Sequence, residues 1–174
     1  MIHMKILNST LEDVGTIFEI YDQATILQKQ IGKKYWMGFE REMVKKEIKE
    51  NRQWKIVIDD QIACVFVITF SDPEIWGEKD KDPSVYIHRI ATNPAFRGNS
   101  FVKNIVAWAT DFAKANQKSF IRIDTGSGND RLNNYYISCG FNYLGIKELT
   151  DTADLPAHYQ EGSFSLFEIS LEQN

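Results

Sequence analysis

The chain has 174 residues, 43% of them apolar and 25% charged, with 20 Lys and Arg against 24 Asp and Glu. That size suits one well-buried domain, 1–174, and a net charge of −4 argues against nucleic acid as a partner, since phosphate backbones draw a basic face. No apolar run reaches about 18 residues, so no membrane partner is expected. MIHMKILNST lacks the apolar core of a secretion signal. Cys64 and Cys139, the two cysteines, sit in apolar stretches and read as buried free thiols, which fits a cytoplasmic protein.

Met4 to Leu7 reads as a short strand. A helix starts at Thr10, with Asp13 completing a capping-box-like pair, and Val14, Ile17, Phe18, Tyr21 and Ala24 recur at helical spacing. Gly32-Lys33-Lys34 breaks that run, and Phe39 to Glu50 reads as a second, charged helix. Trp54, Ile56 and Ile58 alternate as a strand does, Asp59-Asp60 makes a turn, and Ile62 to Phe70 reads as a central strand. Residues 71–84 form a polar loop. Val85 to Thr92 is a strand, and from Gly98 to about Asn116 runs an amphipathic helix with a stripe of Phe101, Ile105, Trp108 and Phe112. A strand (Phe120 to Asp124), a short helix (Asn129 to Ser138) and two strands (Phe141 to Ile146, Ser165 to Leu171) complete the chain. The order β-α-α-β-β-β-α-β-α-β-β, with a βαβ crossover over about 85–124, predicts an α/β (α+β) fold around one mixed sheet of about seven strands.

Two local patterns carry chemistry. Arg97-Gly98-Asn99-Ser100-Phe101-Val102 follows a strand, Ala91-Thr92-Asn93-Pro94 leading into it, and opens a helix, where backbone N–H groups can face a phosphate. Asn129 is followed by Tyr136 seven residues later, then by Gly140-Phe141. In element order and in these two patterns the chain resembles the GNAT superfamily of acyl-CoA-dependent N-acyltransferases. The first corresponds to that family's acyl-CoA motif, Q/R-x-x-G-x-G/A. Both later glycine positions are substituted, by Ser100 and Val102. Glycine mainly lets the backbone approach the ligand, the N–H groups themselves persist, and Val102 falls on the inward helix face with Val106, so the cradle is expected to work.

The resemblance implies an N-acetyltransferase that moves an acetyl group from acetyl-CoA to a primary amine by direct attack in a ternary complex, with acetyl-CoA as co-substrate and no metal. It places Ile90, Ala91 and Thr92 along the pantetheine arm and residues 97–102 on the pyrophosphate. It makes Asn129 a holder of the pantetheine or of a water, and Tyr136 the acid that protonates the leaving thiolate. A phenol is protonated at neutral pH and suits that role, although Tyr136 also reads as a core aromatic. Tyr86 occupies the position of the family's carboxylate base. His88, two residues on and on the same strand face, can take the amine proton or be a histidine packed in the sheet.

The acceptor, a small-molecule or protein amine, is expected between a wall with Lys29, Lys33, Lys34, Tyr35 and Trp36 and another with Asp151, Asp154, His158, Tyr159 and Glu161. Asp72, Glu74, Glu78, Asp80 and Asp82 near Trp76 either attract a cationic amine or form a solvated loop. A homodimer is compatible with such folds, and no residue pattern specifies its interface. The alternative is a catalytically silent acyl-CoA-binding or regulatory module, motivated by the substituted glycines and the missing carboxylate. A nucleotide-binding domain is disfavoured, because no Lys-Ser/Thr follows the glycine and no G-x-G-x-x-G occurs.

Overall fold

The computed structural model of the chain describes residues 3–32, 35–149 and 162–171. Its elements are β1 (Met4–Asn8), α1 (Val14–Gln30), α2 (Arg41–Lys49), β2 (Gln53–Ile58), β3 (Gln61–Thr69), α3 (Pro73–Trp76), β4 (Ser84–Thr92), α4 (Phe101–Ala115), β5 (Phe120–Gly126), α5 (Asp130–Ser138), β6 (Asn142–Glu148) and β7 (Ser163–Ser170). The seven strands run in the order β1-β2-β3-β4-β5-β7-β6. This is the predicted succession with two additions, α3 with the 3₁₀ turn Gly77–Lys81 that follows it and the 3₁₀ turn Pro94–Phe96 after β4. The chain divides into two compact units, residues 1–68 with 89–101 and residues 69–88 with 102–174.

In the first unit β1, β2 and β3 form an antiparallel meander. Asp59 and Asp60 turn the β2–β3 hairpin with φ of 48° and 65°, left-handed values that two-residue hairpins favour because they match the strand twist. Val14, Ile17, Ile20 and Tyr21 of α1 pack with Val44 and Ile48 of α2, Val65 of β3 and Ala91. The Thr10 N–H donates to Asp13 Oδ2 at 2.7 Å, as the capping-box spacing predicts, and Lys55 Nζ reaches the same oxygen at 2.8 Å.

In the second unit β4 and β5 are parallel, from Ser84 opposite Phe120 to Ile87 opposite Ile123, as a crossover helix requires. The β5–β7 ladder is antiparallel, and β6 pairs outside β7 with an irregularity between Tyr143 and Gly145. Val102, Ile105, Ala109 and Ala113 form the buried stripe of α4, while Trp108 and Phe112 stack on each other at its half-buried flank.

The polar loop expected over 71–84 proves partly helical. Asp-Pro starts α3, a proline in the first turn costing no hydrogen bond, and the short helix buries Ile75 and Trp76 against Tyr86, Phe164 and Leu166. Glu74, Glu78 and Asp82 stay exposed, whereas Asp72 is buried. Apolar Ile75-Trp76 inside a charge run was the signal for burial.

Candidate active site

The first unit presents the strand end and the turn. Asn93 fixes both: its N–H donates to the Ala63 carbonyl at 2.8 Å, its Nδ2 to the Ile62 carbonyl at 2.9 Å, and its Oδ1 accepts from Ala95 N–H at 3.1 Å. Ile90 and Thr92 are half-buried and Ala91 is buried. Arg97, Gly98, Asn99 and Ser100 are exposed. Gly98 has φ 92° and Ser100 φ 52°, and a Cβ added to Gly98 would meet no atom within 4 Å. Ser100 thus holds a left-handed conformation that glycine adopts freely. Phe101 and Val102 are buried in the first turn of α4, so the substituent at 102 is absorbed by packing.

Arg89 has φ 50° inside β4, a left-handed conformation uncommon for a residue other than glycine. Its guanidinium pairs with buried Glu47 and lies 4.9 Å from the Phe39 ring centroid. Its Nη1 also donates to the Tyr21 hydroxyl at 3.5 Å.

In the second unit His88 sits beside two carboxylates. Its Nε2 lies 3.4 Å from Asp72 Oδ2 and its Nδ1 3.8 Å from Asp124 Oδ1. The side chains are 18%, 4% and 9% exposed for His88, Asp72 and Asp124. Those two carboxylate oxygens are buried and accept no hydrogen bond. Burial, with Asp124 and Glu74 nearby, pushes the Asp72 carboxyl up to about 8. Burial alone pushes Asp124 up to about 7. Neither carboxylate was a candidate from sequence on its own account: Asp72 was one of a charge run, and Asp124 ended a strand. An acid following Ile121-Arg122-Ile123 in a buried strand was the available signal.

Tyr86 is buried, and its hydroxyl accepts from Arg122 Nη1 at 3.1 Å. Burial, then the bond to Asp80, pushes the phenol up to about 12. It therefore stays protonated at neutral pH and cannot act as the base its position suggested. Arg122, missed from the sequence, is fully buried, and it also donates to Glu168, Asp82 and the Lys79 carbonyl.

Tyr136 on α5 is 8% exposed and packs edge-on against Phe167 at 5.4 Å and Phe141 at 6.1 Å. Asn129 caps the same helix, its Oδ1 accepting from Leu132 N–H at 3.1 Å. The Asn-to-Tyr spacing is thus a helix cap and an inward aromatic of one short helix. Lys33, Lys34, Asp151, Asp154, His158, Tyr159 and Glu161 lie outside the described residues.

A seven-stranded mixed sheet with a βαβ crossover defines the fold class. Residues 33–141 match the family model described as the acetyltransferase (GNAT) family, and the chain belongs to that family. It is 26% identical over 91 residues to the uncharacterized N-acetyltransferase YesJ of Bacillus subtilis (strain 168), a match covering 50% of this chain and 51% of that protein. The chain therefore aligns with about half the length of that relative. Among solved structures it is similar to a GNAT family acetyltransferase from Listeria monocytogenes (TM-score 0.77, 22% identity, 97% of this chain and 95% of that one). It is also similar to yncA from Salmonella typhimurium, solved with its cofactor acetyl-CoA (TM-score 0.69, 12% identity, 99% and 96%). Among the described residues no helix is long and apolar enough to cross a membrane.

Proposed function

We propose that the chain is a cytoplasmic N-acetyltransferase, 1–174 acting as one domain, that transfers an acetyl group from acetyl-CoA to a primary amine in a ternary complex. The observation that carries the reading is the turn ahead of α4. Gly98 and Ser100 both take left-handed φ and are exposed, so the backbone keeps a glycine-type conformation where the sequence has lost a glycine.

Arg97, Gly98, Asn99, Ser100, Phe101 and Val102 hold the pyrophosphate through backbone N–H groups at the helix start, where anions are favoured. Ile90, Ala91 and Thr92 align the pantetheine, and a backbone N–H of this strand polarises the thioester carbonyl. Asn129 orders the arm or a water. Acetyl-CoA supplies the activated acyl group: the amine nitrogen forms the C–N bond as the C–S bond breaks. Tyr136 gives its proton to the departing thiolate, and His88 takes the proton from the amine. Tyr86 holds Arg122 in place beside this strand. The acceptor is a small-molecule or protein amine.

The test is a thermal melt with acetyl-CoA, CoA or ATP, followed by thiol release with a panel of amines. A ligand at about 100 times its dissociation constant raises the melting temperature of a chain this size by roughly 5–11 °C. A shift with both CoA ligands and none with ATP is expected, and no shift with either CoA ligand would sink the reading. The second reading, a silent acyl-CoA-binding module, is favoured by Tyr86, a protonated phenol where a carboxylate base was sought. Tyr136→Phe separates them: an enzyme loses turnover and keeps CoA binding, whereas a silent module has no turnover to lose.

A further inference from the structure

We propose that Asp72, His88 and Asp124 form a binding site for a divalent transition metal ion, of the zinc class. One ligand atom from each residue lies within 4.8 Å of the other two. Two ligands about 2.1 Å from one ion stand roughly 3.0–3.5 Å apart for right-angle to tetrahedral arrangements, and His88 Nε2 and Asp72 Oδ2 are 3.4 Å apart.

A cluster of charges alone would be weak ground. The second observation is that Asp72 Oδ2 and Asp124 Oδ1 are buried, lie 3.4 Å from Nε2 and 3.8 Å from Nδ1 of the imidazole respectively, and accept no hydrogen bond. Buried carboxylate oxygens normally have a partner, because leaving one unpaired carries its full desolvation cost. A 2+ ion held on one ring nitrogen, with a ligand atom of each carboxylate within 4.8 Å of the others, would give both oxygens a partner and balance their charge.

The donor set selects the ion. An imidazole nitrogen suits zinc and its transition-metal neighbours, whereas magnesium and calcium favour oxygen alone. Three protein ligands also leave a fourth position open, and His88 is exposed enough for an ion to enter. The residues are well separated in the chain, on the turn before α3, on β4 and on β5, all within one compact unit.

Binding stands independently of the acetyl-transfer reading. If that reading is right as well, the ion occupies the imidazole lone pair that would accept the amine proton, and zinc acts as a brake.

The experiment uses full-length protein stripped with EDTA and freed of it, then titrated with zinc chloride by calorimetry and thermal melt, with magnesium chloride in parallel. We expect one zinc ion per chain, a melting-temperature rise of about 5 °C or more at saturation, and no rise with magnesium. His88→Gln and Asp124→Asn should each lose that ion. Asp124→Asn keeps the shape of a buried carboxyl whose Oδ1 accepts no hydrogen bond, so metal-free it should melt no lower than the parent and its loss of zinc cannot be blamed on unfolding. No calorimetric binding by the parent, or an unchanged stoichiometry in both variants, overturns the site. In an active preparation zinc should suppress acetyl transfer in step with occupancy, reversibly with EDTA. Full activity at full occupancy overturns the brake, whereas an inactive protein that still binds zinc retains the site.

Discussion

Arg122 and Glu168 face each other directly across the β5–β7 ladder, and the Arg122 Nε donates to Glu168 Oε2 at 2.8 Å. The guanidinium also donates to Asp82 Oδ2 at 2.9 Å, to the Lys79 carbonyl at 2.7 Å and to the Tyr86 hydroxyl, and it lies 4.7 Å from the Trp76 ring centroid. One cation thus ties the α3 segment, β4 and β7 to β5. Removing one partner of a buried pair costs about 3–5 kcal/mol because it strands the other charge. Arg122→Met should lose an amount of this order in urea denaturation. Arg122→Lys, with a point charge in place of a planar fork, should recover only part of it.

Positions 100 and 102 should respond unequally to restored glycine. At Ser100 glycine relieves the left-handed strain but frees the unfolded chain, two effects of about 0.5–1 kcal/mol that oppose each other. Ser100→Gly should therefore change stability by less than about 0.5 kcal/mol. Val102 is 6% exposed in a helix, so Val102→Gly loses apolar burial and helix propensity together, about 2–3 kcal/mol. Equal effects in paired denaturation curves would refute this division.

Asp13 should make stability acid-sensitive. Burial raises its pKa, but the bonds from Lys55 and from the Thr10 N–H outweigh that and leave it lowered. A carboxyl lowered in the folded state contributes stability above its unfolded value of about 3.9, and loses it as pH falls through the folded value. Asp13→Asn should cost about 1 kcal/mol at neutral pH, the usual worth of such a cap. That difference from the parent should shrink steadily below about pH 4. A constant difference down to the acid transition would count against it.

The two thiols should differ sharply. Burial pushes Cys64 up to about 12, so at neutral pH it is neither ionised nor accessible, whereas Cys139 is half-buried. Since the thiolate is the nucleophile, a disulfide reagent should label Cys139 in the folded protein and Cys64 only on unfolding. Two thiols reacting at one rate in native buffer would contradict this.

The succession of elements was legible because it rests on local periodicity. The hairpin at Asp59-Asp60 and the crossover to β5 follow from spacing within a few residues. The α4 stripe, expected at Phe101, Ile105, Trp108 and Phe112, proves to be turned toward Val102, Ala109 and Ala113, with Trp108 and Phe112 half-buried. What stayed hidden depends on distant residues meeting. Asp72 looked like one more charge in a polar stretch, and only the fold brings it to His88 and Asp124. Arg122 drew no reading of its own within the Phe120 to Asp124 strand, since its partners Asp82 and Glu168 meet it only in the folded sheet. Cys139 was expected buried and proves half-buried, because a helix end offers fewer neighbours than the central strand that holds Cys64.

Alternation along a strand is a rule for extended backbone, and at Arg89, with φ 50°, β4 departs from it. Counting in twos from Thr92 toward the start of the strand assumes extended backbone throughout, and Ser84 to Ile87 are all buried whatever their parity. A carboxylate grafted onto this strand by motif arithmetic alone would be placed at 86, where it would meet the guanidinium of Arg122 instead of a substrate. Grafted at 88, it would replace the imidazole beside Asp72 and Asp124 with a third carboxylate. Re-engineering this strand therefore calls for coordinates on each side of Arg89, treated as separate rulers.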